Sequence, residues 1–219
     1  MINIRVLFEK KGRAKYIGHL DVSRLMQRAL KRAGLPIWYT EGYNPHMYVA
    51  FALPLPLGYE SECEFMDTRL TEQMPFETVK DALNAVLPEG ILVTQIAEPV
   101  YKPSDIQWAE YTLSLYPEGG IPQSLLEDWR RFLAKSSIEV VKKTKKGPKT
   151  IDIRPDIHPL AEQAGSECLQ VRLRLPAGLS KNISPNLVLD SFFSSIKGEP
   201  PFARVTRIRL LCDGEKEFA

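Results

Sequence analysis

Met1-Ile2-Asn3-Ile4-Arg5-Val6-Leu7-Phe8 places apolar side chains at every second position, the period of a half-buried strand. A basic turn follows, Lys10-Lys11-Gly12-Arg13. A helical pattern then starts near His19-Leu20-Asp21, with Asp21 as the expected N-cap, and runs to Ala33. Val22, Leu25, Met26, Ala29 and Ala33 share one side of it, and Arg24, Arg28 and Arg32 recur every four residues on another. Gly34 and Pro36 stop the helix. Extended segments are predicted near 46–53 and 60–68, the second setting Cys63, Phe65 and Asp67 against Glu62, Glu64 and Met66. A second helix over 76–87 and a strand over Ile91–Ile96 complete the order β-α-β-β-α-β. That order is the split βαβ pattern of ferredoxin-like domains.

Working outward, the second half repeats the order without sequence identity to the first. Ala109–Tyr116 alternates as a strand, and Gln123–Ala134 is helical with Leu125, Trp129 and Phe132/Leu133 turned inward. Ile138–Val141 and Thr150–Ile153 flank a lysine block as a hairpin that adds a strand to the pattern. Cys168–Leu175 alternates cleanly, Leu169, Val171, Leu173 and Leu175 against Gln170, Arg172 and Arg174. A helix over Asn186–Ile196 is introduced by Ser184-Pro185, where serine caps and proline suits the first turn. Val205–Leu211 closes the half as a strand. The expected fold is α+β, two ferredoxin-like βαββαβ halves in tandem. The expected domains are 1–99 and 104–219, joined through Glu98-Pro99-Val100-Tyr101-Lys102-Pro103.

The chain has 219 residues, 44% hydrophobic and 26% charged, which is the composition of a folded protein rather than a disordered one. No apolar run approaches the roughly 20 residues of a membrane span, and the N-terminus reads as a strand rather than a signal peptide. Cys63, Cys168 and Cys212 are few, odd in number and far apart. Such a set points to a reducing compartment, and the cytoplasm is the expected location. Net charge is only +2 but unevenly spread: residues 1–32 carry nine basic and two acidic side chains, and residues 33–99 carry two basic and ten acidic ones. Between Lys142 and Lys149 stand five lysines and no acid.

The stretch richest in chemistry is Tyr39-Thr40-Glu41-Gly42-Tyr43-Asn44-Pro45-His46. Glycine, asparagine and proline favour a tight turn, and proline pushes Asn44 out of the helical region. The turn holds either a pocket mouth formed by Tyr39, Tyr43, Asn44 and His46, or aromatics packed on a sheet edge. His19 and His46 are the candidate proton-transfer residues, since imidazole titrates near neutrality. His158, before Pro159, is a weaker candidate. No metal-ligand spacing, glycine-rich nucleotide loop or nucleophile elbow occurs, so neither metal nor cofactor is expected. The cysteines read as small buried hydrophobes. Two basic groups are the candidate RNA contacts: Arg24, Arg28, Lys31 and Arg32 on the first helix, and Lys142, Lys143, Lys145, Lys146 and Lys149 in the hairpin. The competing reading of each is a solvated charged surface.

Tyr16-Ile17-Gly18-His19-Leu20-Asp21, Arg24, Arg28-Ala29, Arg32-Ala33-Gly34-Leu35-Pro36, Gly42-Tyr43-Asn44-Pro45-His46, Phe51, Leu55-Pro56-Leu57-Gly58, Ser61 and Glu64 together resemble the bacterial radical SAM-linked family, a domain of unknown function. Ile151-Asp152-Ile153-Arg154-Pro155 carries the likeness further, while Thr40 and Met47 stand where that family leads one to expect serine and proline. The resemblance implies an RNA- or translation-linked role and a radical SAM protein as partner, and assigns no activity. Tandem ferredoxin-like halves with a histidine near the first helix are also similar in architecture to RAMP-like CRISPR repeat-processing endoribonucleases. Their glycine-rich loop has only Pro176-Ala177-Gly178-Leu179 as a counterpart. Three readings follow: an RNA-binding accessory protein without catalysis of its own, a metal-independent endoribonuclease using His19 or His46, and a module that docks a radical SAM partner through the loop around Asn44.

Overall fold

The computed structural model describes residues 1–118, 123–144, 147–179 and 181–219. The chain divides into two compact units, Met1–Ile106 with Arg207–Ala219, and Gln107–Thr206. Each is a ferredoxin-like βαββαβ unit, so the tandem α+β fold is as the periodicity predicts. The division differs from a 1–99 and 104–219 reading mainly in that Arg207–Ala219 groups with the first unit.

In the first unit the elements are β1 (Ile2–Lys10), α1 (His19–Arg32), β2 (Val49–Phe51), β3 (Glu60–Leu70), α2 (Phe76–Asn84) and β4 (Ile91–Ala97). The strand order is β4-β1-β3 with β2 also on β3, every pair antiparallel. Ile4, Val6 and Phe8 of β1 and Met66 and Leu70 of β3 face the helices, packing on Val22, Met26, Ala29 and Leu30 of α1 and on Val79 and Leu83 of α2. α1 ends because Gly34 takes φ 66° and donates its N–H to the Lys31 carbonyl at 3.2 Å, the left-handed close that glycine provides. Its start differs from expectation: Gly18 is the N-cap, and Asp21 lies in the first turn, where its carboxylate accepts from Arg24 at 3.0 Å. Gly90 (φ 86°) sits where an added Cβ would lie 2.5 Å from the Lys11 carbonyl oxygen. This close approach clips the α2–β4 turn to the end of β1, with Lys11 N–H donating to Gly90 O at 2.8 Å.

The sheet's other face is covered from within the same unit. Arg5, fully buried, donates to both Asp67 carboxylate oxygens (2.7 and 2.8 Å), to the Tyr101 carbonyl (2.9 Å) and to the Ala219 carbonyl (2.6 Å). Its guanidinium lies 4.2 Å from the Phe218 ring centre, and Phe218 meets Phe65 edge-on at 4.9 Å. At the far end of the strands Arg207 pairs with Glu64 and donates to the Leu53 carbonyl at 2.9 Å. Burial lowers the Lys10 ammonium pKa, with Glu64 opposing and Arg207 adding to the shift. Burial likewise pushes the Cys63 thiol up to about 12, which leaves it unreactive at neutral pH.

The second unit contains β5 (Trp108–Tyr116), α3 (Gln123–Leu133), β6 (Glu139–Thr144), β7 (Gly147–Asp152), β8 (His158–Ala164), β9 (Leu169–Pro176) and α4 (Pro185–Phe193). The final strand, β10 (Phe202–Leu211), starts here and ends in the first unit. Here the strand order is β10-β5-β9-β8. The hairpin β6–β7 is a separate two-stranded sheet inserted between α3 and β8. The second strand of this βαββαβ unit is therefore His158–Ala164, a segment whose sequence shows no strand period. Trp129, Phe132 and Phe192 form the aromatic centre of the unit, with ring centres 5.0–5.7 Å apart. Ser184 caps α4 as expected, accepting from the Asn186 N–H at 3.3 Å.

Candidate nucleic-acid interface

The buried row of α1 leaves its opposite side to solvent, and there the sequence has placed its cations at i, i+4, i+7 and i+8. Arg24, Arg28, Lys31 and Arg32 line a cleft of about 650 Å³. Ile17, Leu25 and Pro88 supply apolar wall, and Asp21 is its single acid. Arg24 is held by Asp21, and Arg32 reaches across to the Val86 carbonyl beside Pro88. Arg28 and Lys31 are exposed, and no ion pair or hydrogen bond involves either side chain among the described residues. Successive arginines four apart rise about 6 Å along the helix, a spacing that suits neighbouring phosphates.

The 39–48 loop is a second constructed feature. Thr40 N–H donates to the His46 carbonyl at 2.9 Å, and His46 N–H donates back to Thr40 Oγ1 at 3.1 Å. A bridge between Tyr39 and Met47 closes the loop. His46 Nδ1 lies 3.1 Å from the Asn44 carbonyl and 3.0 Å from Thr40 Oγ1. A carbonyl only accepts, so a hydrogen bond to Asn44 requires the tautomer with the proton on Nδ1, in which Nε2 keeps its lone pair. Tyr43 is fully exposed at the tip, and Tyr39 is partly so. His19 is occupied differently, edge-on to Phe51 at 5.1 Å. No hydrogen bond or ring contact joins His19 to His46 among the described residues. His158 stands edge-on to Trp108 at 5.0 Å.

The hairpin lysines belong to the second unit. Lys142 and Lys149 face each other across the ladder, and Lys142 Nζ donates to the Asn182 carbonyl at 2.7 Å. Lys145, Lys146 and the Lys143 side chain lie outside the described residues. Among the described residues no group of three or more His, Cys, Asp or Glu converges as a metal site requires, and no helix is long and apolar enough to cross a membrane. Two features of the cleft escape a reading of the sequence: Asp21 as the Arg24 partner, and the 86–88 turn as the wall opposite α1. Only the i,i+3 spacing of Asp21 and Arg24 signals either.

Fold and surface define a tandem ferredoxin-like protein with a cationic cleft on its first helix. The chain belongs to the family described as an uncharacterized protein conserved in bacteria, DUF2344, whose model matches residues 3–185. No curated protein matches it. Among solved structures, a chain from the crystal structure of a Cbf5-Nop10-Gar1 complex is similar, with a TM-score of 0.49 and 10% identity. The likeness covers 94% of this chain and 48% of that one, so this chain spans about half of its neighbour's length.

Proposed function

We propose that this protein binds RNA through the cationic face of α1 and acts as an accessory, presenting the RNA to a separate radical SAM modification enzyme rather than catalysing a reaction itself. The observation that carries the RNA reading is the pair Arg28 and Lys31, exposed and without an acidic partner among the described residues, in one cleft with Arg24 and Arg32. Unneutralised cations at that spacing displace condensed counterions from phosphates. A covered sheet supports the same side of the unit. Ferredoxin-like RNA-recognition modules stack bases on aromatics of an open sheet, whereas here Arg5 and Phe65 lie beneath Phe218. The radical SAM partner rests on the family resemblance of residues 16–64. Filter binding of structured RNA across a salt series tests the reading. Affinity should fall steeply with salt, by roughly 0.7 log units per log unit for each single-strand phosphate neutralised, and salt-independent or absent binding would overturn it.

His46 supports a second reading, metal-independent cleavage of the bound RNA, because the loop fixes its ring and leaves Nε2 with a lone pair. Labelled RNA incubated with the protein in chelator decides this. Cleavage that disappears in His46→Gln supports it, and intact RNA removes it.

A further inference from the structure

The cations of α1 line an open cleft together with Ile17, Leu25 and Pro88, and a strand held by its phosphates alone needs no such apolar lining. We infer, building on the RNA-binding reading above, that the cleft receives a nucleotide bearing a terminal phosphomonoester, with the phosphate between Arg28 and Lys31 and the nucleoside against Ile17, Leu25 and Pro88.

Charge is the first argument. An internal phosphodiester carries one negative charge, while a terminal monoester carries about −1.5 to −2 at neutral pH with three acceptor oxygens. The cleft offers four cations against Asp21, and Asp21 is already engaged by Arg24. A monoester matches that excess better than a diester does.

Preorganisation is the second. Arg24 and Arg32 are steadied by Asp21 and by the Val86 carbonyl, which leaves Arg28 and Lys31 to meet the ligand. Arginine presents a planar fork to phosphate oxygens and lysine a mobile point charge.

Size and polarity are the third. A volume of about 650 Å³ falls inside the roughly 300–1,000 Å³ of small-ligand clefts. Ile17, Leu25 and Pro88 offer apolar contact of the kind a base or ribose face covers, which a bare phosphate does not need.

The experiment compares three oligoribonucleotides of one sequence, ending in a 5′-phosphate, in a 3′-phosphate or in neither, by fluorescence anisotropy. Nucleoside monophosphate, nucleoside and inorganic phosphate serve as competitors, and thermal melts check that each variant folds. A terminal phosphate should tighten binding about tenfold, and Arg28→Ala or Lys31→Ala should erase that advantage. Nucleoside monophosphate should compete better than inorganic phosphate or nucleoside. If the monophosphate binds while no RNA does, a free nucleotide is the source, and the cleft inference stands while the RNA reading falls. If all three RNAs bind equally and the monophosphate does not compete, the inference is overturned and the RNA reading survives. An advantage that persists in both alanine variants, or inorganic phosphate competing as well as the nucleotide, also overturns it. Absence of all binding ends both.

Discussion

Helices α1 and α3 hold the same place in their two βαββαβ units, each crossing from the first strand to the second, yet their surfaces differ. α1 carries four basic side chains and one acid, and Arg28 and Lys31 have no acidic partner among the described residues. α3 carries two of each: Arg130 bonds Glu162 at 2.5 Å, and Arg131 bonds Asp128 at 2.7 Å. The interiors differ in degree. The first unit buries Arg5, Lys10, Glu64 and Arg207 besides the apolar core under its helices, while the second buries Glu110 and Asp156 and its helices close over Trp129, Phe132 and Phe192. One topology thus carries an unneutralised helix in one unit and a neutralised helix in the other. Topology alone therefore does not dictate the cationic face.

The largest test breaks the charged interior. Removing one partner of a buried ion pair costs about 3–5 kcal/mol, because the other charge stays buried. Arg5→Ala should lose a stabilisation of that size in urea titration, since the Asp67 carboxylate would lose its partner and the Tyr101 and Ala219 carbonyls their guanidinium donor. A loss under about 1 kcal/mol, the worth of an exposed pair, would mean that the pair is solvated in solution.

Next comes the turn that supplies one wall of the cleft. Gly90→Ala combines a left-handed φ with a Cβ 2.5 Å from the Lys11 carbonyl. We expect a cost of about 2–3 kcal/mol from backbone strain and displacement together. Unchanged melting would show that the turn moves away freely, and that Pro88 is a poor wall.

What is legible in the sequence follows from burial. Alternation in 2–8 and 168–175 and the helical rows of α1 and α3 report one-sided packing on a core, and the period places those elements to within a few residues. β8 is invisible to such a reading because His158–Ala164 is exposed along its length and, among the described residues, pairs only with β9. An edge strand without a buried face has no period to read, and Pro159 is tolerated there because the register shifts between Pro159 and Ala161. The Arg207–Glu64 pair joins residues 143 positions apart, and no local spacing encodes such a meeting. In the candidate site, the arginine spacing is legible in the sequence. The cleft is not, because its opposite wall comes from a turn more than fifty residues away.

A smaller effect compares the helices directly. Arg28→Glu should weaken RNA binding about tenfold at low salt and flatten its salt dependence by roughly 0.7–0.9 for each phosphate that is no longer neutralised. Arg131→Glu in α3 should stay within about twofold, because an exposed, paired cation contributes little. Parallel titrations at several salt concentrations check this, and equal effects at the two positions would mean that overall charge, not α1, governs binding.

The smallest expected effect sharpens the comparison most. Asp128→Asn with Glu162→Gln removes the hydrogen-bonded partners of both α3 arginines while keeping side-chain shape, so α3 releases two cations without repacking, with Glu127 still near Arg130. If free charge on a helix were sufficient, this variant should bind RNA about as much more tightly as Arg28→Glu binds it less tightly. Geometry argues otherwise. Arg130 and Arg131 stand at one level of α3 with no further cation along the helix, whereas Arg24, Arg28 and Arg32 run along one row with Lys31 beside it. Two cations at one level do not follow successive phosphates, and they add only general attraction that salt screens within about 10 Å at 0.1 M. The expected gain is therefore under about threefold at low salt and absent at high salt. A gain of tenfold would show that the row on α1 is no better than any two released charges, and the assignment of the interface to that helix would fall with it.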